Sequence, residues 1–290
     1  MKHHTSYDGI MQQPDLANIR IIKKLLASCG IRPNKTFGQN FLVSKRVLAK
    51  IIETAELTKD DTVLEVGPGL GTLTVELSKH CKRVIAVEKD RALLPILRDV
   101  LAPFPNVEIV HDDILRFDPK RYTLNAKRYK IVADLPYYLT SRFLRLFLET
   151  PHQPSHMVLL VQKEVAKRIC ATPPHASILS NAVQYYAMPK NIFSVPKSSF
   201  FPAPSVDSMV LKLSVTRAFS EKTDKNFMDI MKKSFSSPRK QLAHTLSGFY
   251  EKERVNMWLA EARIRESQRP QEIALEQWIT LAGIIQQEAA

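Results

Sequence analysis

The chain has 290 residues, 44% of them hydrophobic, enough to bury one large core or a medium and a small one. No apolar run reaches the length of a membrane span and no charged-then-apolar leader opens the chain, so a membrane or secreted protein is set aside and a cytoplasmic one expected. The 42 Lys and Arg outnumber the 29 Asp and Glu for a formal net charge of +13, which points to a polyanionic partner such as nucleic acid. Cys29, Cys81 and Cys170 are too few and too scattered for a disulfide framework or a thiolate metal site, and no metal is expected.

The first fourteen residues are polar and irregular and read as a tail, with His3 and His4 lacking further ligands for a metal. Leu16, Ile19, Ile22, Leu25 and Leu26 recur at helical spacing, so Asp15 to Cys29 is predicted as a helix that Gly30 stops. A loop rich in Pro, Asn and Gly follows, then a second helix from Ser44 to Ala55 with Ser44 as its cap. From Thr62 the period changes. Apolar runs Val63 to Val66, Val84 to Val87, Val107 to Val110 and Ile131 to Ala133 alternate with helical stretches Thr72 to His80, Arg91 to Leu101 and Ser141 to Glu149. Alternation of this kind predicts an α/β fold with a parallel sheet and helices on both faces. Further strands at Met157 to Val161 and Met209 to Val215, and helices at Lys163 to Ala171 and Ile178 to Tyr186, bring the sheet to six or seven strands, and Phe193 to Ser205 is predicted as a Pro- and Ser-rich loop. After Thr216 the pattern is wholly helical, over Lys225 to Phe235, Arg239 to Leu246, Glu251 to Ala262 and Glu272 to Ile285. A boundary is therefore placed near Arg217.

Acidic groups and glycines fall where strands end. Gly67-Pro-Gly-Leu-Gly follows the first sheet strand and Glu88 closes the next, a pairing that suits a backbone held close to a cofactor and a carboxylate accepting both hydroxyls of its ribose. The spacing G-x-G-x-G is one residue shorter than the dinucleotide fingerprint, which favours phosphate-free S-adenosylmethionine over a pyrophosphate. Asp113, after the third strand, can accept from an adenine amino group. After the fourth comes Ala133-Asp-Leu-Pro-Tyr-Tyr-Leu-Thr-Ser, where Asp134 supplies acceptors, Pro136 restricts Leu135 to an extended conformation that aims its carbonyl, and Tyr137 offers a π-face. Two acceptors beside an aromatic plane describe a pocket for an exocyclic amine on a stacked base. A plain strand-to-helix turn has the same local sequence, and it is the succession of Gly67, Glu88, Asp113 and Asp134 that turns alone do not explain.

In combination and in order, Phe37-Gly-Gln-Asn-Phe-Leu, Val63-Leu-Glu-Val-Gly-Pro-Gly-Leu-Gly-Thr-Leu-Thr, Val87-Glu-Lys-Asp, Asp134-Leu-Pro-Tyr, Gln162-Lys-Glu-Val-Ala, Gln184-Tyr-Tyr-Ala and Phe200-Phe-Pro-Ala-Pro-Ser-Val-Asp-Ser resemble the rRNA adenine N6-dimethyltransferase family, in its bacterial small-subunit, kasugamycin-sensitivity branch. The resemblance implies a Rossmann-like class I methyltransferase sheet over residues 33–216, preceded by a tail and helix over 1–32 and followed by a small helical RNA-binding domain over 217–290. It implies S-adenosylmethionine as cofactor and 16S rRNA, free or within the small ribosomal subunit or its precursor, as substrate, with two adjacent adenosines near the 3′ end as the targets; a monomer is expected, although the sequence itself does not fix the oligomeric state. Asn40, Leu42, Gly67, Gly69, Glu88, Asp113 and Asp134 then correspond to cofactor-contacting positions. Asp134, Leu135, Pro136 and Tyr137 form the adenine site, with Phe200 stacking on the base's other face, and Lys232, Lys233, Arg239 and Lys240 are candidates for RNA contact. Small-subunit members usually carry Asn where this chain has Asp134, and Pro173-Pro-His-Ala-Ser-Ile-Leu-Ser lacks the Gly usual in its loop. A 23S rRNA methyltransferase of the macrolide-resistance type, an RNA-binding assembly factor without turnover and a dehydrogenase are the alternatives. The last fits the glycine spacing poorly.

Overall fold

The computed structural model describes residues 14–34, 38–122, 124, 129–136 and 139–288. Its elements run α1 (Ile19–Ser28), β1 (Phe41–Leu42), α2 (Lys45–Ala55), β2 (Thr62–Val66), α3 (Thr72–Ser78), β3 (Arg83–Glu88), α4 (Leu94–Leu101), β4 (Val107–His111), β5 (Tyr129–Asp134), α5 (Thr140–Leu148), β6 (His156–Gln162), α6 (Lys163–Ile169), α7 (Ile178–Tyr186), β7 (Ala187–Val195), β8 (Phe200–Phe201), β9 (Ser208–Val215), α8 (Glu221–Ser234), α9 (Leu242–Leu246), α10 (Lys252–Glu261) and α11 (Leu275–Glu288).

Val- and Ile-rich strands covered on both faces make a sheet of seven, in the order β4-β3-β2-β5-β6-β9-β7. The first five are mutually parallel, β9 runs antiparallel to β6, and the edge strand β7 runs antiparallel to β9. Side chains alternate across the sheet. Leu64, Val66, Ile85 and Val87 face one core, while Val63, Val84 and Ala86 face the other beneath α2 and α3. Strand order reverses between β2 and β5, so the crevice where an α/β sheet takes its ligands opens at the C-terminal ends of these two strands.

Local chemistry sets the helix starts. The Asn18 side chain accepts from the Arg20 amide at the head of α1, and Ser44 accepts from the Val47 amide at the head of α2. The expected loop from Phe193 to Ser205 is corrected at both ends. β7 extends to Val195 and pairs with β9, and after one 3₁₀ turn Phe200–Phe201 forms β8, paired with β1. Pro189 and a bulge between Asn191 and Phe193 disguised β7 as irregular chain, and both are tolerated because β7 is an edge strand.

Beyond Arg217 the four helices share one hydrophobic core with the sheet. Tyr185 stacks on Phe227 of α8 at 3.9 Å between ring centroids, and its hydroxyl donates to Asp224 at 2.9 Å. Trp278 of α11 has no exposed surface. Trp278→Ala is expected to cost about 3 to 5 kcal/mol of unfolding free energy, read from urea titrations, because a large cavity replaces a buried indole.

Candidate active site

A pocket opens where β2, β3, β4 and β5 end. Val66, Gly67 and Gly69 line it from β2, Glu88 and Lys89 from β3, Asp112 and Asp113 from β4, and Asp134, Leu135 and Pro136 from β5. Gly38, Gln39, Asn40 and Phe41 close one side, and Phe200 from β8 closes another. Of the residues expected at the site, Asn40, Gly67, Gly69, Glu88, Asp113, Asp134, Leu135, Pro136 and Phe200 therefore come together. Leu42 follows Phe41 on β1, its side chain buried in the core with Phe200. Tyr137 lies outside the described residues.

The turn after β2 is shaped for close approach. Gly69 has φ +60°, and a Cβ there would stand 3.2 Å from the Phe41 ring, so a side chain would both strain the backbone and push on the pocket wall. Its amide donates to Glu88 Oε2 at 3.0 Å, while the Asp90 amide donates to Oε1 at 2.7 Å. Each carboxylate oxygen keeps lone-pair capacity toward the pocket. Burial raises the pKa of Glu88 against the pull of these two amides. Gln39, from the loop before β1, donates to Asp90 at 2.6 Å and accepts from the Asn34 amide, tying the pocket's lip to β3. Burial would also raise Asp113, but its 2.9 Å ion pair with Lys89 and the Leu115 amide hold it below the usual range.

At the end of β5 the Leu135 amide donates to the Leu160 carbonyl on β6, and among the described residues no donor meets the Leu135 carbonyl. Burial pushes Asp134 up to about 8. Beneath the pocket Glu65, only 2% exposed, is a group that sequence reading missed, since an acid inside Val63 to Val66 reads only as part of a strand. Burial raises it to about 8 against the nearby Thr74 hydroxyl, and the charges of Glu88 and Asp134 add to the rise. Its Oε2 has no hydrogen-bond partner among the described residues.

A buried acid whose pKa is raised in the folded state makes folding less favourable as pH climbs, because the unfolded chain has already released the proton. Glu65→Gln keeps the shape and removes the ionisation. The loss of stability between pH 4.5 and about 8 is expected to be smaller in the variant, measured by urea titrations at pH 5 and 8.

The four basic residues proposed for RNA part company. Arg239 and Lys240 share an open cleft with His244 and Arg269, which sequence reading missed because only the fold brings the turn before α11 against α9. Lys232 pairs with Asp229 on its own helix, and Lys233 donates to the Tyr250 hydroxyl at 2.7 Å with its ammonium 4.5 Å from that ring's centroid. Among the described residues no helix is long and apolar enough to cross a membrane.

Residues 30–287 match the family model described as ribosomal RNA adenine dimethylase. Proteins named ribosomal RNA small subunit methyltransferase A are similar over nearly their whole length: that of Clostridioides difficile is 37% identical, covering 93% of this chain and 96% of its own, and that of Enterococcus faecalis 39%, covering 91% and 94%. Among solved structures, the 23S rRNA methyltransferase ErmE aligns with a TM-score of 0.69 at 28% identity, over 84% of this chain and 98% of its own. A dimethyladenosine transferase from Plasmodium falciparum shares the fold at a TM-score of 0.74 and 22% identity, over 86% and 98%.

Proposed function

The chain belongs to the ribosomal RNA adenine dimethylase family, and from that premise we propose that it transfers methyl groups from S-adenosylmethionine to N6 of two adjacent adenosines near the 3′ end of 16S rRNA, giving N6,N6-dimethyladenosine during small-subunit biogenesis. The observation that carries the proposal is the junction of two half-sites. A glycine cradle with a buried carboxylate lines the same pocket as an acceptor pair, Asp134 and Leu135, and the Phe200 ring. The residues fit the cofactor: Glu88 is held by two amides with acceptor capacity left for a ribose diol, apolar Val66, Val87, Leu93 and Ile114 can enclose a purine, and Asp113 stands at the rim for its amino group. When bound, S-adenosylmethionine supplies an electrophilic methyl group.

The adenine N6 lone pair is delocalised into the ring and attacks poorly while it remains so. In the first transfer Asp134 and the Leu135 carbonyl accept the two N6 hydrogens and bend the nitrogen toward tetrahedral geometry, which returns the lone pair to it; in the second, the one remaining hydrogen engages one of these acceptors, and each transfer ends with the loss of one N6 proton. Phe200 holds the plane of a base drawn out of its stack. Positioning and acceptor placement thus carry most of the catalysis. A neutral Asp134 carboxyl still presents a carbonyl oxygen, so the role survives its raised pKa.

The helical part after Arg217 serves as the RNA-binding domain in this reading, with Arg239 and Lys240 placed to meet phosphates. Replacing both by Ala should reduce the slope of log affinity against log salt by about 1.5, measured by filter binding, whereas an unchanged slope removes them from the phosphate contacts. The higher identity to small-subunit enzymes than to ErmE favours 16S over 23S RNA. Transfer of tritiated methyl groups to separated 16S and 23S RNA tests that choice. Label in 16S is expected, and label confined to 23S refutes it.

A further inference from the structure

Behind the pocket's β1 and β8 wall lies a second cleft of about 430 Å³, lined by Lys23 of α1, Gly30, Arg32, Pro33 and Phe201. Two chain segments join it to the active site. The stretch that begins with Arg32 and Pro33 in the cleft ends with Gly38 to Phe41 in the pocket, and Phe201 in the cleft directly follows Phe200 in the pocket. The Lys23 ammonium stands over the Phe201 ring, 5.2 Å from its centroid, and Phe201 is registered with Phe41 across the two-stranded ribbon. The ribbon therefore gives Phe200 to one site and Phe201 to the other.

Gly30 leaves the cleft floor open, since a Cβ there would meet nothing within 4 Å. Lys23 and Arg32 are exposed and, among the described residues, neither is in an ion pair with an acid. An aromatic ring with one cation over its face and a second cation lining the same cleft matches a base and its phosphate, with Lys23 passing from the ring to the phosphate as the base stacks.

We propose that this cleft binds the nucleotide adjoining the target adenosine, its base stacked on Phe201 and its phosphate between Lys23 and Arg32. The proposal rests on the RNA-methylating reading of the neighbouring pocket. It gives the enzyme a hold on the strand at the point where the target base leaves its stack, so that extrusion is coupled to capture of the neighbour.

Phe201→Ala and, separately, Lys23→Glu with Arg32→Glu are tested in methyl transfer to 16S RNA, alongside calorimetry of S-adenosylmethionine binding. Each variant should raise the KM for RNA about tenfold while the cofactor's dissociation constant stays unchanged. The charge-reversed pair lies on the surface and keeps the test decisive where Phe201→Ala fails to fold. A fluorescent 2-aminopurine placed beside the target in a short RNA should be quenched by the wild type and not by the variants. Wild-type transfer with unchanged KM and quenching in both variants overturns the cleft proposal alone. A wild type that transfers no methyl group to RNA overturns the underlying reading and this proposal with it.

Discussion

Asp134→Ala is expected to lower kcat for methyl transfer by about 10²- to 10³-fold or more, with S-adenosylmethionine binding still measurable. The loss follows from what remains at the end of β5. Without the Asp134 side chain only the Leu135 carbonyl is left to hold the amine, so the nitrogen is positioned and bent out of the ring plane less effectively in each transfer. Asp134→Asn provides the matching control, since its amide oxygen still accepts. It should retain transfer. It should also remove the ionisation near 8 that burial gives the native carboxyl, so any inflection there in the pH profile of kcat/KM should vanish in the variant. Unimpaired turnover by Asp134→Ala would remove the acceptor mechanism.

The second large effect belongs to Glu88. Glu88→Ala deletes the carboxylate that receives the Gly69 and Asp90 amides and that is proposed to receive the ribose hydroxyls. Hydrogen bonds to a charged group are worth about 1.5 to 3 kcal/mol each, so the cofactor's dissociation constant should rise about 100-fold or more by calorimetry. Glu88→Gln, which preserves one acceptor oxygen, should lose less. An unchanged dissociation constant in Glu88→Ala would place the cofactor elsewhere.

Much of the site was legible because strand-end chemistry is local in sequence. Gly67, Glu88, Asp113 and Asp134 each follow an apolar run, and a parallel sheet with its switch point between β2 and β5 gathers such positions at one edge. What escaped depends on contacts between distant segments. β7 carries Pro189 and a bulge that an edge strand tolerates but that no periodicity announces. The pairing of Phe41–Leu42 with Phe200–Phe201 is two residues long, too short for any pattern, yet it brings Phe41 and Phe200 together at the pocket wall. Glu65 looked like strand and proves to be a buried acid below the site. The basic residues show the same limit. Lys232 and Lys233 resemble Arg239 and Lys240 in sequence, but the fold engages Lys233 with Tyr250 and opens Arg239 and Lys240 into a cleft with Arg269.

The most direct test is nucleoside mass analysis of 16S RNA from small ribosomal subunits of an unmodified strain, after incubation with S-adenosylmethionine and either the wild type or Asp134→Ala. The wild type should yield N6,N6-dimethyladenosine and the variant none above background. Absence of that nucleoside with the wild type, or equal yields from both proteins, would contradict an adenine pocket built on Asp134 and Leu135.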